Sequence, residues 1–176
     1  MSDRPIIFSA PMIRALLDGR KTQTRRVLKP HGDTFSAPSY RRGDRLYVRE
    51  AAHIDGTSVN YRADHPGDSA GLGWRPSIHM PRWASRITLE ITGVRVERLQ
   101  DISPFDCEAE GVQRLPLQDD QPQPWWTADV SAGPILHSRS ALGAYHRLWE
   151  TINGPDSWDA NPWVWVVEFK RQEEAA

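Results

Sequence analysis

Apolar positions recur along the chain with two distinct periods. In residues 86–99, Ile87, Leu89 and Ile91 alternate with Thr88, Glu90 and Thr92, which is the period of a half-buried strand. Gly93 predicts a bulge or bend before Val94 and Val96 resume the pattern. Trp163, Trp165, Val167 and Phe169 alternate in the same way, as do Leu46 and Val48 in residues 45–50. Ile6, Ile7 and Phe8 read as a further short strand. The helical period appears in Met12, Ile13, Leu16 and Leu17, which follow Ser9 at a cap position and Pro11 in the first turn, and stop at Gly19. It appears again in Leu142, Tyr145, Leu148, Trp149 and Ile152, with Gly154-Pro155 as the stop. A third, shorter helix opens at Ser103-Pro104-Phe105-Asp106, with Ser103 and Asp106 at capping-box spacing, and ends near Gly111.

Between these elements lie polar segments rich in Pro and Gly. Residues 30–43 read as a loop ending in the turn signal Gly43-Asp44. Residues 53–80 lack periodicity and read as an excursion loop with a short strand near 59–62, and residues 113–138 as a second insertion-like loop. Residues 171–176 read as a fraying tail. Strands at irregular intervals with three short helices predict one mixed α+β domain over residues 1–176, built around a small, curved or barrel-like sheet. A chain of 176 residues is long enough for one well-buried core.

Composition narrows the setting. Cys107 is the only cysteine, so neither an intramolecular disulfide nor a cysteine-based zinc site can form, and its acidic neighbours Asp106 and Glu108 mark it as a packing residue. No apolar run is long enough for a transmembrane helix, and the first eight residues are too polar for a signal peptide, which predicts a cytoplasmic protein without a membrane partner. The net charge of −1 conceals an asymmetry: residues 1–98 hold 17 Lys and Arg against 10 Asp and Glu, and residues 99–176 hold 5 against 13. Either the basic half offers a phosphate-facing patch, or the two halves pair with each other inside one domain.

The six histidines are scattered without paired spacing, and no Walker-type loop or nucleophile elbow is present, so no metal or cofactor is expected. Gly19-Arg20-Lys21-Thr22-Gln23-Thr24-Arg25-Arg26 is different, with one lysine amid three arginines and two hydroxyls. Positive neighbours and partial burial both disfavour a protonated lysine, and a lysine so perturbed serves as base or nucleophile, with Thr24 as the hydroxyl it activates. A solvated basic loop is the competing reading. Contact between Lys21 and Thr24 requires a turn, since three-residue spacing puts them on opposite faces of a straight strand.

The order of Gly19, Lys21 and Arg26, then Gly43-Asp44-Arg45-Leu46-Tyr47-Val48-Arg49-Glu50, then a strand, a short acidic helix and a final aromatic strand resembles the ASCH domain family. The Trp-rich ending, from Trp149 through Trp158 to Trp163 and Trp165, resembles a larger version common in phage and prophage genomes. The resemblance implies a PUA-like β-barrel with flanking short helices and a cleft lined by the lysine motif. Thr24 stands where the family's usual signature has Glu. That departure resembles a bacterial subgroup that removes the acetyl group from N4-acetylcytidine and carries Gly-Arg-Lys-Thr-x-Thr-x-Arg, matched by Gly19, Arg20, Lys21, Thr22, Thr24 and Arg26. The subgroup also uses a Glu on the acidic helix, for which Glu110 is the best match and Glu108 the runner-up. The resemblance therefore implies Lys21, Thr24 and Glu110 as catalytic residues, with Arg26 holding an oxyanion or a phosphate.

Other candidates surround this set. Tyr47, Arg49 and Glu50 form a polar strand end that either reaches the cleft or pairs within itself. Arg82, Trp83 and Arg86 make either a platform for stacking a base or part of the core. Arg25, Arg26, Arg82 and Arg86 are expected around the cleft mouth, and Trp149, Trp163 and Trp165 in the core. Three functions stay open: an amidohydrolase acting on an acylated nucleoside or RNA base, a module that binds RNA or a modified base without chemistry, and a ribonuclease.

Overall fold

The computed structural model describes residues 3–31, 34–35, 40–67, 72–116, 125–128 and 136–172. β1 (Asp3–Ile7) leads through Ser9 into α1 (Ala10–Leu17), where Pro11 occupies the first turn and needs no hydrogen-bond donor. There follow β2 (Gln23–Val27), β3 (Pro30–His31), β4 (Thr34–Phe35), β5 (Arg45–Arg49), β6 (Ala52–Asp55), β7 (Ser58–Tyr61) and β8 (Thr88–Arg98). Then come α2 (Pro104–Ala109), β9 (Gln113–Arg114), β10 (Trp126–Ala128), β11 (Leu136–Ser138), α3 (Ala141–Asn153) and β12 (Trp163–Gln172). The architecture is mixed α+β, and no described helix is long and apolar enough to cross a membrane.

The main sheet has the order β1-β5-β8-β12-β2. β1 runs parallel to β5, and the other neighbours are antiparallel. No sheet among the described residues closes into a barrel, because β1 and β2 form no ladder. A side chain links these two edge strands instead: Arg26 Nη2 donates to Ile7 O at 2.8 Å. Near Gly93 the expected irregularity is a bulge. Glu168 faces Gly93 and Phe169 faces Ile91, which leaves Thr92 as the extra residue. A Cβ on Gly93 would stand 2.5 Å from Glu168 Oε2, so glycine admits that carboxylate.

Side chains alternate across a strand, and β12 feeds two separate cores in this way. Val164 and Val166 pack with Ala144, Leu148 and Trp149 of α3, whereas Val167 and Phe169 pack with Phe8, Ile13, Leu46 and Leu89. Each fully buried side chain of this kind contributes about 1.5–3 kcal/mol. Trp149 is buried as expected, but Trp163 and Trp165 are only half-buried. The Arg98 guanidinium lies 4.3 Å over the Trp163 ring, so this end of β12 is finished by a cation over an aromatic face rather than by core.

Both expected loops carry more structure than the sequence pattern suggested. Within 53–80, β6 and β7 form a hairpin whose two-residue turn begins at Gly56, with φ 58°. In 113–138, β9, β10 and β11 form a small sheet, with Ala128 of β10 in the same cluster as α3. Residues 117–124 and 129–135 lie outside the described residues. The segment 171–172, expected to fray, continues β12, and 173–176 lie outside the described residues.

Candidate functional site

The lysine motif is pinned between the ends of two helices. Gly19, at φ 73°, stops α1, and the N–H groups of Arg20 and Lys21 both donate to Ala15 O, at 2.9 and 3.0 Å. Thr22 N–H donates to Ala109 O, the last residue of α2, at 2.8 Å. Lys21 and Thr22 thus precede the strand, and β2 begins only at Gln23. Glu110 caps the other helix, and Gly111 follows it at φ 105°. Lys21 Nζ accordingly donates to Glu110 Oε2 at 2.8 Å and to Glu110 O at 2.9 Å. The two side chains are 0% and 5% exposed, so the buried ammonium depends on Glu110 for its counter-ion. Burial pulls the lysine below its ordinary pKa, and the Glu110 carboxylate opposes that fall.

Arg25 completes the pairing from β2. Its side chain is fully buried, with Nη1 donating to Glu110 Oε1 at 3.2 Å and Nη2 to Glu97 Oε1. Arg95 on β8 extends the network to Glu97, Asp106 and Glu168. Asp106 closes the capping box of α2 with Ser103 and also accepts from Gln23 Nε2 at 3.0 Å. Burial alone would raise its pKa, but the hydrogen bonds from Ser103 and Gln23, with Arg25 nearby, bring it down to about 2. The helix that carries Glu110 is therefore tied to both β2 and β8.

A cavity of about 660 Å³ lies against β2, lined by Thr24, Arg25, Arg26 and Val27 of that strand, by Glu110, and by Tyr145 and Trp149 of α3. Ile7, Met12, Leu148 and Ile152 add apolar wall, and Lys29 also borders it. Thr24 and Glu110 face the same space, whereas Lys21 is absent from the lining and reaches it through Glu110. Glu108 lines a different depression, with Phe105 and Arg20, so Glu110 is the carboxylate of this cavity. Tyr145 is buried, which pushes its phenol well above the ordinary range, and Glu110 adds to that rise.

The remaining candidates lie apart. Arg49 donates to Met80 O at 2.8 Å and also to Ile78 O. Glu50, 1% exposed, pairs with Arg86 at 2.9 Å rather than with Arg49, and its burial raises its pKa. Arg86 also binds Asp64 at 2.8 Å and lies 3.9 Å over the Tyr61 ring. Arg82 binds Asp3 at 2.8 Å and lies over Tyr47, and Trp83 is 59% exposed. None of Arg49, Glu50, Arg82, Trp83 and Arg86 is among the residues that line this cavity, although Arg82 and Arg86 were expected around its mouth. Arg82 and Arg86 are held by carboxylates of their own neighbourhood.

Arg25, which was expected at the cleft mouth, lines the cavity, and Tyr145, to which sequence reasoning assigned no chemistry, lines it too. Tyr145 sat on the apolar face of a helix, where its hydroxyl was the one signal available. Cys107 is fully buried, and burial pushes its thiol up to about 12, in keeping with packing. Among the described residues no cluster of His, Cys, Asp and Glu is placed to hold a metal ion. The chain matches no protein-family model, no curated protein and no solved structure.

Proposed function

We propose that this protein is an amidohydrolase acting on an acylated nucleoside or RNA base of the N4-acetylcytidine kind, on a PUA-like scaffold in which the β1–β2 seam forms the cleft. The observation that carries the reading is the Lys21–Glu110 pair, formed by residues 89 apart in sequence, behind a cavity that Thr24 lines. Amide hydrolysis needs a nucleophile, a proton carrier and a stabilised oxyanion. Thr24 orients a water that attacks the acetyl carbonyl carbon, and the water's proton passes to the Lys21–Glu110 pair. Arg26 or Arg25 faces the oxyanion of the tetrahedral adduct. The C–N4 bond then breaks with its electron pair going to N4, which takes a proton from Glu110. Acetate and cytidine leave.

The test is chromatographic release of cytidine from N4-acetylcytidine and from acetylated RNA. Lys21→Ala, Thr24→Ala and Glu110→Ala are each expected to remove nearly all release per folded molecule, with non-additive effects in combination. No release by wild type on either substrate rejects the reading. A base-binding module without chemistry then takes its place. One observation favours that module: both Glu110 oxygens are already engaged, by Lys21 and by Arg25.

A further inference from the structure

β2 is an edge strand, and its outer side carries backbone groups that no backbone group among the described residues meets. Leu28 N–H donates to Trp163 O at 2.8 Å, and Phe169 N–H donates to Thr22 O at 2.9 Å. Both bonds join residues directly opposite in the β2–β12 register, which sets Val27 against Val164 and Gln23 against Glu168. Hydrogen-bonded pairs recur at every second residue of an antiparallel ladder. Thr24 and Arg26 therefore bond to Val167 and Trp165, and Arg25 and Val27 turn their N–H and C=O groups the other way. No backbone group among the described residues meets them there. Both residues line the cavity, and Arg25 is only 4% exposed.

Val27 is 39% exposed, whereas buried backbone groups in folded proteins almost always have partners, so the open groups of Arg25 beside the cavity point to a ligand. Two side-chain donors repeat the signal: Arg25 Nε and Trp149 Nε1 are both buried without a hydrogen-bond partner among the described residues, and both residues line the same cavity. An outward-facing residue on an edge strand presents one donor beside one acceptor. Cytosine presents the complement, with ring N3 as acceptor beside the N4–H donor, and N4-acetylation leaves one such N–H. Exposed Arg26 and Lys29 at the same cavity suit a ligand that carries phosphate.

We propose that the open edge of β2, at Arg25 and Val27, reads the donor–acceptor edge of a cytosine-like base, with the Trp149 indole N–H donating to a further acceptor on that base. The proposal rests on the nucleobase reading of the cavity and adds how the base is selected. Proline at an outward-facing position removes the unpaired N–H and leaves the ladder whole.

The experiment is equilibrium binding of cytidine and of 3-deazacytidine, which lacks the ring acceptor, to wild type, Val27→Pro and Trp149→Phe, with thermal unfolding of each as the fold control. Cytidine affinity is expected to fall about tenfold in each variant, and 3-deazacytidine is expected to bind wild type about tenfold more weakly than cytidine. Equal affinity of wild type for the two nucleosides overturns the proposal, as does undiminished cytidine binding by a folded Val27→Pro, or no cytidine binding by wild type. If Val27→Pro does not fold, the comparison of the two nucleosides on wild type decides. Hydrolysis is followed separately. Activity that persists with equal nucleoside affinities sinks this pairing alone. Binding that follows the pairing without any hydrolysis sinks the hydrolase reading alone.

Discussion

Lys21 is a buried charge that depends on Glu110, whereas Glu110 also holds Arg25 at 3.2 Å. With the ammonium at 0% exposure, removing the carboxylate leaves a buried charge with only a backbone carbonyl to meet it. Glu110→Ala is therefore expected to lose about 3–5 kcal/mol of stability in urea unfolding. Lys21→Met with Glu110→Leu together should lose clearly less than the two single changes summed, because the charge and its counter-charge leave at once. Additive losses would mean that the pair is not a unit. The sequence made the lysine visible through its cationic neighbours, and resemblance suggested the glutamate. Arg25 was expected at the cleft mouth, but its pairing with Glu110 and its place on the free edge of β2 were hidden, because strand parity depends on a partner strand that lies far away at Val164–Glu168.

At the level of elements, α2 acts as the mount for Glu110, and its two ends are fixed by different means. At the start, the Asp106 carboxylate closes the capping box and receives Gln23 and Arg95. Its pKa falls from 3.8 to about 2, so the folded state holds this proton less tightly than the unfolded chain does. That contribution, about 2 kcal/mol, is fully present above pH 3.8 and disappears as the pH falls through about 2. Asp106→Asn should remove this part of the acid dependence of unfolding, with stability losses that shrink toward low pH. At the other end, Gly111 holds φ 105° with Ala15 Cβ 3.3 Å from where its own Cβ would stand. Gly111→Ala is expected to cost at least about 1 kcal/mol and to disturb the Glu110 carboxylate, seen as lowered stability together with lowered hydrolysis. The capping box was legible from residue spacing alone. The β6–β7 hairpin was not found, although Gly56-Thr57, with glycine first, is a recognised two-residue hairpin loop, because four-residue strands are too short to declare a period.

Over the whole molecule, the contrast between a basic first half and an acidic second half resolves in part into pairing between the two. Lys21 and Arg25 meet Glu110, Arg25 approaches Asp106 at 3.5 Å, and Arg95 meets Glu168. Sequence gave the imbalance but not its spending within the fold, since charge counts carry no distances. Arg26 differs, for its guanidinium meets a carbonyl and the Phe8 ring rather than a carboxylate, and Lys29 lies exposed beside the same cavity. These two are expected to supply the phosphate contacts. Arg26→Ala and Lys29→Ala should each weaken RNA binding regardless of sequence and lower the slope of log affinity against log salt by about one. An unchanged slope in both variants would place the phosphate contacts elsewhere.

The position of β2 beside β12 also bears on how the molecule is made. During synthesis β2 is complete about 140 residues before Trp163, the first residue of the only strand that pairs with it among the described residues. Ribosome-bound chains halted before residue 163 should therefore carry residues 23–27 without their ladder partner, open to protease, while the β1–β5–β8 pairings are already available. The β2 wall of the cavity would then be completed in one step, when β12 enters the sheet, and the cavity would not exist in a nascent chain that stops short of residue 163.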